Sequence, residues 1–162
     1  MTAANRERVR PVARPVLRTF WMLHRAIYRL TGGRLGLRQP ERGATFGMLR
    51  LHTVGRRSGN SRLAMVGYFE DGPNLVTLAM NGWGTAEPAW WLNLQADAEA
   101  TVELPGGSRK VRARASTGAE RDRIWATFRD YPGWGADLER LTALRPGETA
   151  IVVFEPTTGP ER

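Results

Sequence analysis

No cysteine occurs among the 162 residues, which excludes disulfides, thiolate nucleophiles, iron–sulfur clusters and cysteine-ligated zinc. Histidine is nearly as scarce: His24 and His52 are the only two, too few for a His-rich metal centre. No run of about eighteen apolar residues is present, and residues 1–15 lack the apolar segment of a secretory signal, so the expected location is the cytoplasm. What remains is 41% hydrophobic and 25% charged, the composition of one soluble globular domain. A chain of this length buries roughly 70% of its unfolded surface and needs no metal or disulfide to hold its core.

Lysine appears once, at Lys110, so the basic character is almost wholly arginine. The net charge of +8 and the pI near 11.2 suggest a nucleic-acid binder until the charges are placed. Residues 1–42 hold ten arginines against Glu7 and Glu41, which accounts for the entire net charge, and the rest of the chain is electrically balanced. A basic arm on a neutral domain lacks the continuous stripe of a DNA or RNA binder, and no nucleic-acid partner is expected.

Within the arm, Pro15 can open a helix and Gly32-Gly33 can close it. Val16, Phe20, Leu23, Ile27 and Leu30 then share one face, opposite Arg14, Arg18, Arg25 and Arg29. Such a helix either packs its apolar stripe on the domain or lies peripherally on an anionic membrane. From Thr45 the pattern changes to short β-type runs near 46–54, 62–70, 74–80, 100–105, 108–116 and 149–155. Asp71-Gly72 and Gly106-Gly107 mark hairpins. Helices are predicted over Glu87–Ala96, Glu120–Tyr131 and Gly135–Leu144. Hairpins broken by isolated helices predict a mainly β chain with α (α+β): a small barrel with peripheral helices, spanning residues 43–156, after the arm 1–42 and before a tail 157–162.

Two clusters could carry chemistry. Thr53-Val54-Gly55-Arg56-Arg57-Ser58-Gly59-Asn60-Ser61-Arg62 lies between two predicted strands. Glycines let backbone N–H groups turn towards an anion and arginine grips phosphate or carboxylate in two-pronged fashion, so the segment reads as an anion-binding loop or as a solvated hairpin. The second cluster runs from Met80-Asn81-Gly82-Trp83 to Pro88-Ala89-Trp90-Trp91-Leu92-Asn93-Leu94. It can frame a flat aromatic ligand or simply pack, with one tryptophan of the pair facing the core. No nucleophile triad, carboxylate pair or ligand cluster emerges, and His52, inside a strand, reads as a hydrogen-bonded structural residue. Chemistry brought by an organic cofactor fits this inventory better than hydrolysis.

Leu51-His52-Thr53-Val54-Gly55-Arg56-Arg57-Ser58-Gly59-Asn60-Ser61-Arg62, Pro88-Ala89-Trp90-Trp91-Leu92-Asn93-Leu94-Gln95-Ala96, Tyr131-Pro132 and Ile151-Val152-Val153-Phe154-Glu155-Pro156 together resemble the deazaflavin (F420)-dependent nitroreductase and quinone reductase family of actinobacteria. That resemblance implies a split β-barrel, related to FMN-binding split barrels, that uses reduced coenzyme F420 as hydride donor. It places the cofactor's phosphate and polyglutamate tail on Arg56, Arg57, Ser58, Gly59 and Arg62, and the deazaflavin beside Met65, Leu78, Ala79, Met80, Asn81, Ala89 and Trp90. The acceptor would meet Met80, Tyr131 and Trp134, with Tyr131 as a proton or hydrogen-bond donor. Met80 and Trp134 stand where nitroimidazole-reducing relatives carry hydroxyl-bearing groups, which favours a quinone or another conjugated acceptor over a nitro compound. FMN, less expected as the cofactor, together with haem or a fatty acid, defines the alternative of a differently loaded barrel.

Removing residues 1–14 should leave the circular dichroism spectrum and thermal midpoint nearly unchanged while reducing co-sedimentation with anionic vesicles, most clearly at low salt. An intact chain that ignores such vesicles would exclude the membrane role.

Overall fold

The computed structural model describes residues 36–81, 86–131 and 135–157. The helix expected from Pro15 and the pocket residue Trp134 lie outside them. Six strands, β1 (Gly47–Val54), β2 (Ser61–Asp71), β3 (Asn74–Leu78), β4 (Glu99–Leu104), β5 (Gly107–Ala115) and β6 (Ile151–Pro156), close into an antiparallel barrel in the order β1-β2-β3-β6-β5-β4. Both expected hairpins are present, Asp71 pairing with Asn74 across Gly72 and Leu104 with Gly107. Three helices accompany the barrel: α1 (Ala89–Ala96), α2 (Gly118–Asp130) and α3 (Gly135–Ala143).

Period-two alternation divides the apolar residues between two cores. Leu49 and Leu51, Val66 and Tyr68, Val102, Val111 and Ala113, and Val152 and Phe154 fill the barrel interior, joined by Trp91 and Leu94 of α1. Their strand neighbours Phe69, Val76, Leu78, Ile151 and Val153 face outward and are covered by Ile124 and Phe128 of α2 and Leu138 of α3. Helix α1 therefore belongs to the inner core and α2 and α3 to the outer one. Gly47 is dictated by this packing: a Cβ there would lie 2.5 Å from the ring of Tyr68, its cross-strand partner, and 2.8 Å from the Arg38 carbonyl. Burial pushes the Tyr68 phenol up to about 12, with the Glu70 charge adding to the shift and that of Arg109 opposing it.

Several boundaries differ from those the sequence suggests. β3 stops at Leu78 because the chain folds back at once, the Met80 N–H donating to the Leu78 carbonyl at 2.7 Å. α1 starts at Ala89, since Pro88 holds an extended conformation as its N-cap. Composition places residues 38 to 42 in the arm, yet Arg38 pairs with Met48, Glu41 pairs with Thr45, and the Arg38 guanidinium donates to the Phe46 carbonyl. Thr157, expected in the tail, donates its N–H to the Lys110 carbonyl.

Two guanidinium forks tie α2 to the strands. Arg114 of β5 donates to both carboxylate oxygens of Glu120 at 2.6 and 2.8 Å and to Glu155 of β6 at 2.7 Å. Arg123 donates to both oxygens of Asp71 at 2.9 and 2.7 Å. Each hydrogen bond holds its carboxyl, Glu120 or Asp71, below the usual carboxylate range. Their folded pKa values lie under the unfolded ones, so the stability they add is complete above the unfolded range and is lost as pH falls through the folded values. The pairs are partly solvent-screened, and Arg114→Met should reduce the unfolding free energy by about 1 kcal/mol at pH 7 and by clearly less at pH 3 in urea denaturation. An equal deficit at both pH values would show that lost packing rather than the ion pairs is responsible.

Candidate functional site

Antiparallel order brings the end of β1, the start of β2, the end of β3 and the start of β6 to one end of the barrel. There the loop of residues 55–60 joins β1 to β2, and α1 contributes Trp91 and Leu94 to the inner core. The loop closes on itself. Gly55 donates its N–H to the Asn60 carbonyl at 2.8 Å, and its own carbonyl accepts from Ser58 at 3.1 Å and Gly59 at 2.8 Å. A Cβ on Gly55 would approach the Ser58 hydroxyl to 2.9 Å, and Gly59 holds φ +66° at the reversal. The Ser58 and Gly59 N–H groups therefore point at the Gly55 carbonyl. The Ser58 hydroxyl lies 3.2 Å from Arg62 Nη2, which donates to it.

Asn93 joins this loop to α1. Its Oδ1 accepts the Arg56 backbone N–H at 3.2 Å and Arg56 Nη1 at 3.4 Å, and its Nδ2 donates to Thr53 Oγ1 at 3.2 Å. Both Asn93 and Thr53 are 5% exposed. Sequence reasoning singles out neither for a role; the available signal is one polar residue in the apolar run Trp90-Trp91-Leu92-Asn93-Leu94.

Arg50, Arg112, Arg114, Arg121 and Arg123 each engage a carboxylate. Among the described residues no carboxylate lies within ion-pair reach of Arg56, Arg57 or Arg62, all three of them exposed. His52 donates to Glu103, which also takes Arg50, so it sits in a structural ion network on the outer side of β1 and β4.

The remaining candidates divide by strand face. Met65, half-buried, alternates with the inward Ala64 and Val66 and so faces outward. Next to the loop on that outer face stand Val54 and Leu63, 46% and 53% exposed, an apolar shelf that sequence reasoning does not single out. Leu78 is buried outward against the helices, and Ala79 is buried in the inner core. Their backbone groups are also engaged: Ala79 donates to the Ala150 carbonyl at 2.9 Å, and its own carbonyl accepts Arg145 Nη1 at 2.7 Å. Leu78 and Ala79 thus fix the chain that carries the half-buried Met80 and the exposed Asn81. In α1, Ala89 is exposed and Trp90 half-buried, its ring 6.4 Å from that of the core-facing Trp91 at 63°.

Tyr131 lies apart from the loop. It is 6% exposed, stacks on Phe46 at 4.3 Å and Phe69 at 5.9 Å, and donates its hydroxyl to the Glu41 carbonyl at 3.3 Å. In this arrangement its ring is an outer-core residue, and its proton is engaged with the backbone. Met80 packs against the same outer core. Among the described residues no cluster of three or more His, Asp or Glu could hold a metal ion, and no helix is long and apolar enough to cross a membrane.

A family model for the F420H(2)-dependent quinone reductases matches residues 21–145. The chain belongs to that family. An F420H(2)-dependent quinone reductase of Mycobacterium tuberculosis is 35% identical over 107 residues, covering 64% of this chain and 68% of the relative. Among solved structures, one described as a domain-swapped dimer superposes with a TM-score of 0.61 at 19% identity, over 85% of this chain and 99% of that one. An F420-H2 dependent reductase, FDR-A, superposes with a TM-score of 0.57 at 20% identity, over 74% and 100%. At these identities the two structures establish the split-barrel fold, and the family establishes the activity class. This quinone reductase family member is an F420-dependent oxidoreductase with coenzyme F420 as its cofactor. The donor set suits that cofactor, because three exposed guanidinium groups without a carboxylate partner and one hydroxyl are what an anionic tail requires.

Proposed function

We propose that Arg56, Arg57, Ser58 and Arg62 hold the phosphate and glutamate end of F420, with Gly59 setting the turn that presents them. Met65, Met80, Asn81, Ala89 and Trp90 border the deazaflavin, and Leu78 and Ala79 keep the Met80–Asn81 segment in place. The reading rests on one observation: Arg56, Arg57 and Arg62 stand exposed on or beside one loop with no carboxylate partner among the described residues, while Arg112, Arg114 and Arg123 are paired with carboxylates. The chemistry the cofactor supplies when bound is hydride donation. The protein's part is to orient donor and acceptor and to exclude water from between them with the Trp90 and Met65 side chains. With the Tyr131 hydroxyl turned to Glu41, the proton needed by the reduced acceptor comes from solvent.

The acceptor we infer is a quinone-like, flat and conjugated molecule. Met80 offers a polarisable thioether rather than a hydroxyl, which suits an apolar ring better than a nitro group that needs hydrogen bonds. The basic arm 1–42, with its Arg-rich amphipathic segment, would bring such an acceptor within reach at an anionic membrane surface.

Charged hydrogen bonds are worth roughly 1.5–3 kcal/mol, so Arg57→Ala should weaken F420 binding about tenfold to a hundredfold in fluorescence titrations. Unchanged affinity would overturn the tail assignment. In steady-state assays that follow the visible band of F420, menadione should be reduced faster than a bicyclic nitroimidazole. A preference for the nitroimidazole would refute the argument from Met80, and tight binding without turnover on any quinone would point to a carrier.

A further inference from the structure

The amide of Asn93 is buried and bonded within the protein. Oδ1 receives two donors from Arg56, one Nδ2 N–H is given to Thr53, and the residue is 5% exposed, which leaves little surface for a ligand. Its backbone serves the helix end as well, the Asn93 carbonyl accepting the Asp97 N–H. Arg56 is the first residue after the Gly55 carbonyl that closes the loop, so fixing its N–H fixes where the loop leaves β1. The Nη1 contact then orients the guanidinium from behind. A guanidinium has five N–H donors, and one weak bond to Asn93 leaves the others for an anion.

We infer that Asn93 is a positioning residue for cofactor recognition: it holds Arg56 aimed at the anionic tail without touching the cofactor. The inference rests on the reading of the 55–60 loop as the tail site. Pre-aiming matters because an arginine side chain carries substantial rotamer entropy, and holding it before binding removes part of that cost. A purely structural asparagine would instead support α1, and its loss would disturb ring and tail alike. Thr53 belongs to the same device, because its hydroxyl fixes which end of the amide faces Arg56.

The test compares F420 with a deazaflavin lacking the phosphate and glutamates, titrated against the full chain by fluorescence. Asn93→Ala should weaken F420 binding about threefold to tenfold and leave the tail-less compound unaffected. Adding Asn93→Ala to Arg56→Ala should cost clearly less than Asn93→Ala costs alone, because the guanidinium contact is already gone and only the bond to the backbone N–H of residue 56 remains to be lost, whereas with Arg57→Ala the two losses should multiply. Should Asn93→Ala fail to fold, Thr53→Val, which removes only the acceptor for Nδ2, should show the same selectivity at smaller amplitude. Equal weakening of both deazaflavins, or full multiplication with Arg56→Ala, would reduce Asn93 to a structural role and overturn the inference. If Arg56→Ala and Arg57→Ala both leave F420 affinity intact, the tail site itself is wrong and this inference falls with it. If they weaken it and Asn93→Ala does not, only the positioning role fails.

Discussion

Closure of the barrel rests on β1 and β4, which pair over only Arg50–His52 and Thr101–Glu103. Across that short seam Arg50 and His52 both engage Glu103, so one carboxylate holds two side chains of the facing strand. The seam constrains the residues on its C-terminal side. With Arg50, Leu51 and His52 locked against β4, Thr53 turns inward, and the 55–60 loop must leave the barrel at one place. Because α1 leads directly into β4, the same pairing sets where Asn93 stands relative to Thr53.

The functional consequence lies in how charge is distributed over an arginine-rich surface. Several of the barrel's guanidinium groups are drawn into strand-to-helix or strand-to-strand pairs, as with Arg112 and Glu99, Arg114 with Glu120 and Glu155, and Arg123 with Asp71. These pairs give modest stability each. The 55–60 loop and Arg62 beside it carry three exposed arginines with no carboxylate partner among the described residues. Val54 and Leu63 add an exposed apolar shelf beside that loop.

Packing also separates supporting residues from those that meet a ligand. Leu78 and Ala79 are neighbours, yet one is buried under α2 and α3 and the other inside the barrel. Both hold the β3 exit rigid, which is what a site needs from the residues behind it. Tyr131 shows the opposite outcome of a plausible sequence signal. An aromatic hydroxyl at the end of a helix looks available, but the stack with Phe46 and Phe69 draws the ring into the outer core and directs its hydroxyl to the Glu41 carbonyl.

Local sequence determined the number and order of the strands, both hairpins, the helix containing Trp90 and Trp91, and the basic loop. Each of these arises from short-range physics: alternation of period two, glycine at reversals, proline at a helix start. The family motif, carried by the same segments, added the cofactor. Tertiary structure alone decided the rest. The junction between arm and barrel, which composition places at residue 42, moves because Arg38 and Glu41 find backbone partners in and beside β1. The loop's N–H groups turn inward because Gly55 offers them a carbonyl, a contact that depends on the loop's actual path. Arg56 and Asn93 are 37 residues apart, and nothing in either segment signals the other. Their meeting depends on barrel closure, a long-range arrangement that local patterns of charge and hydrophobicity do not encode.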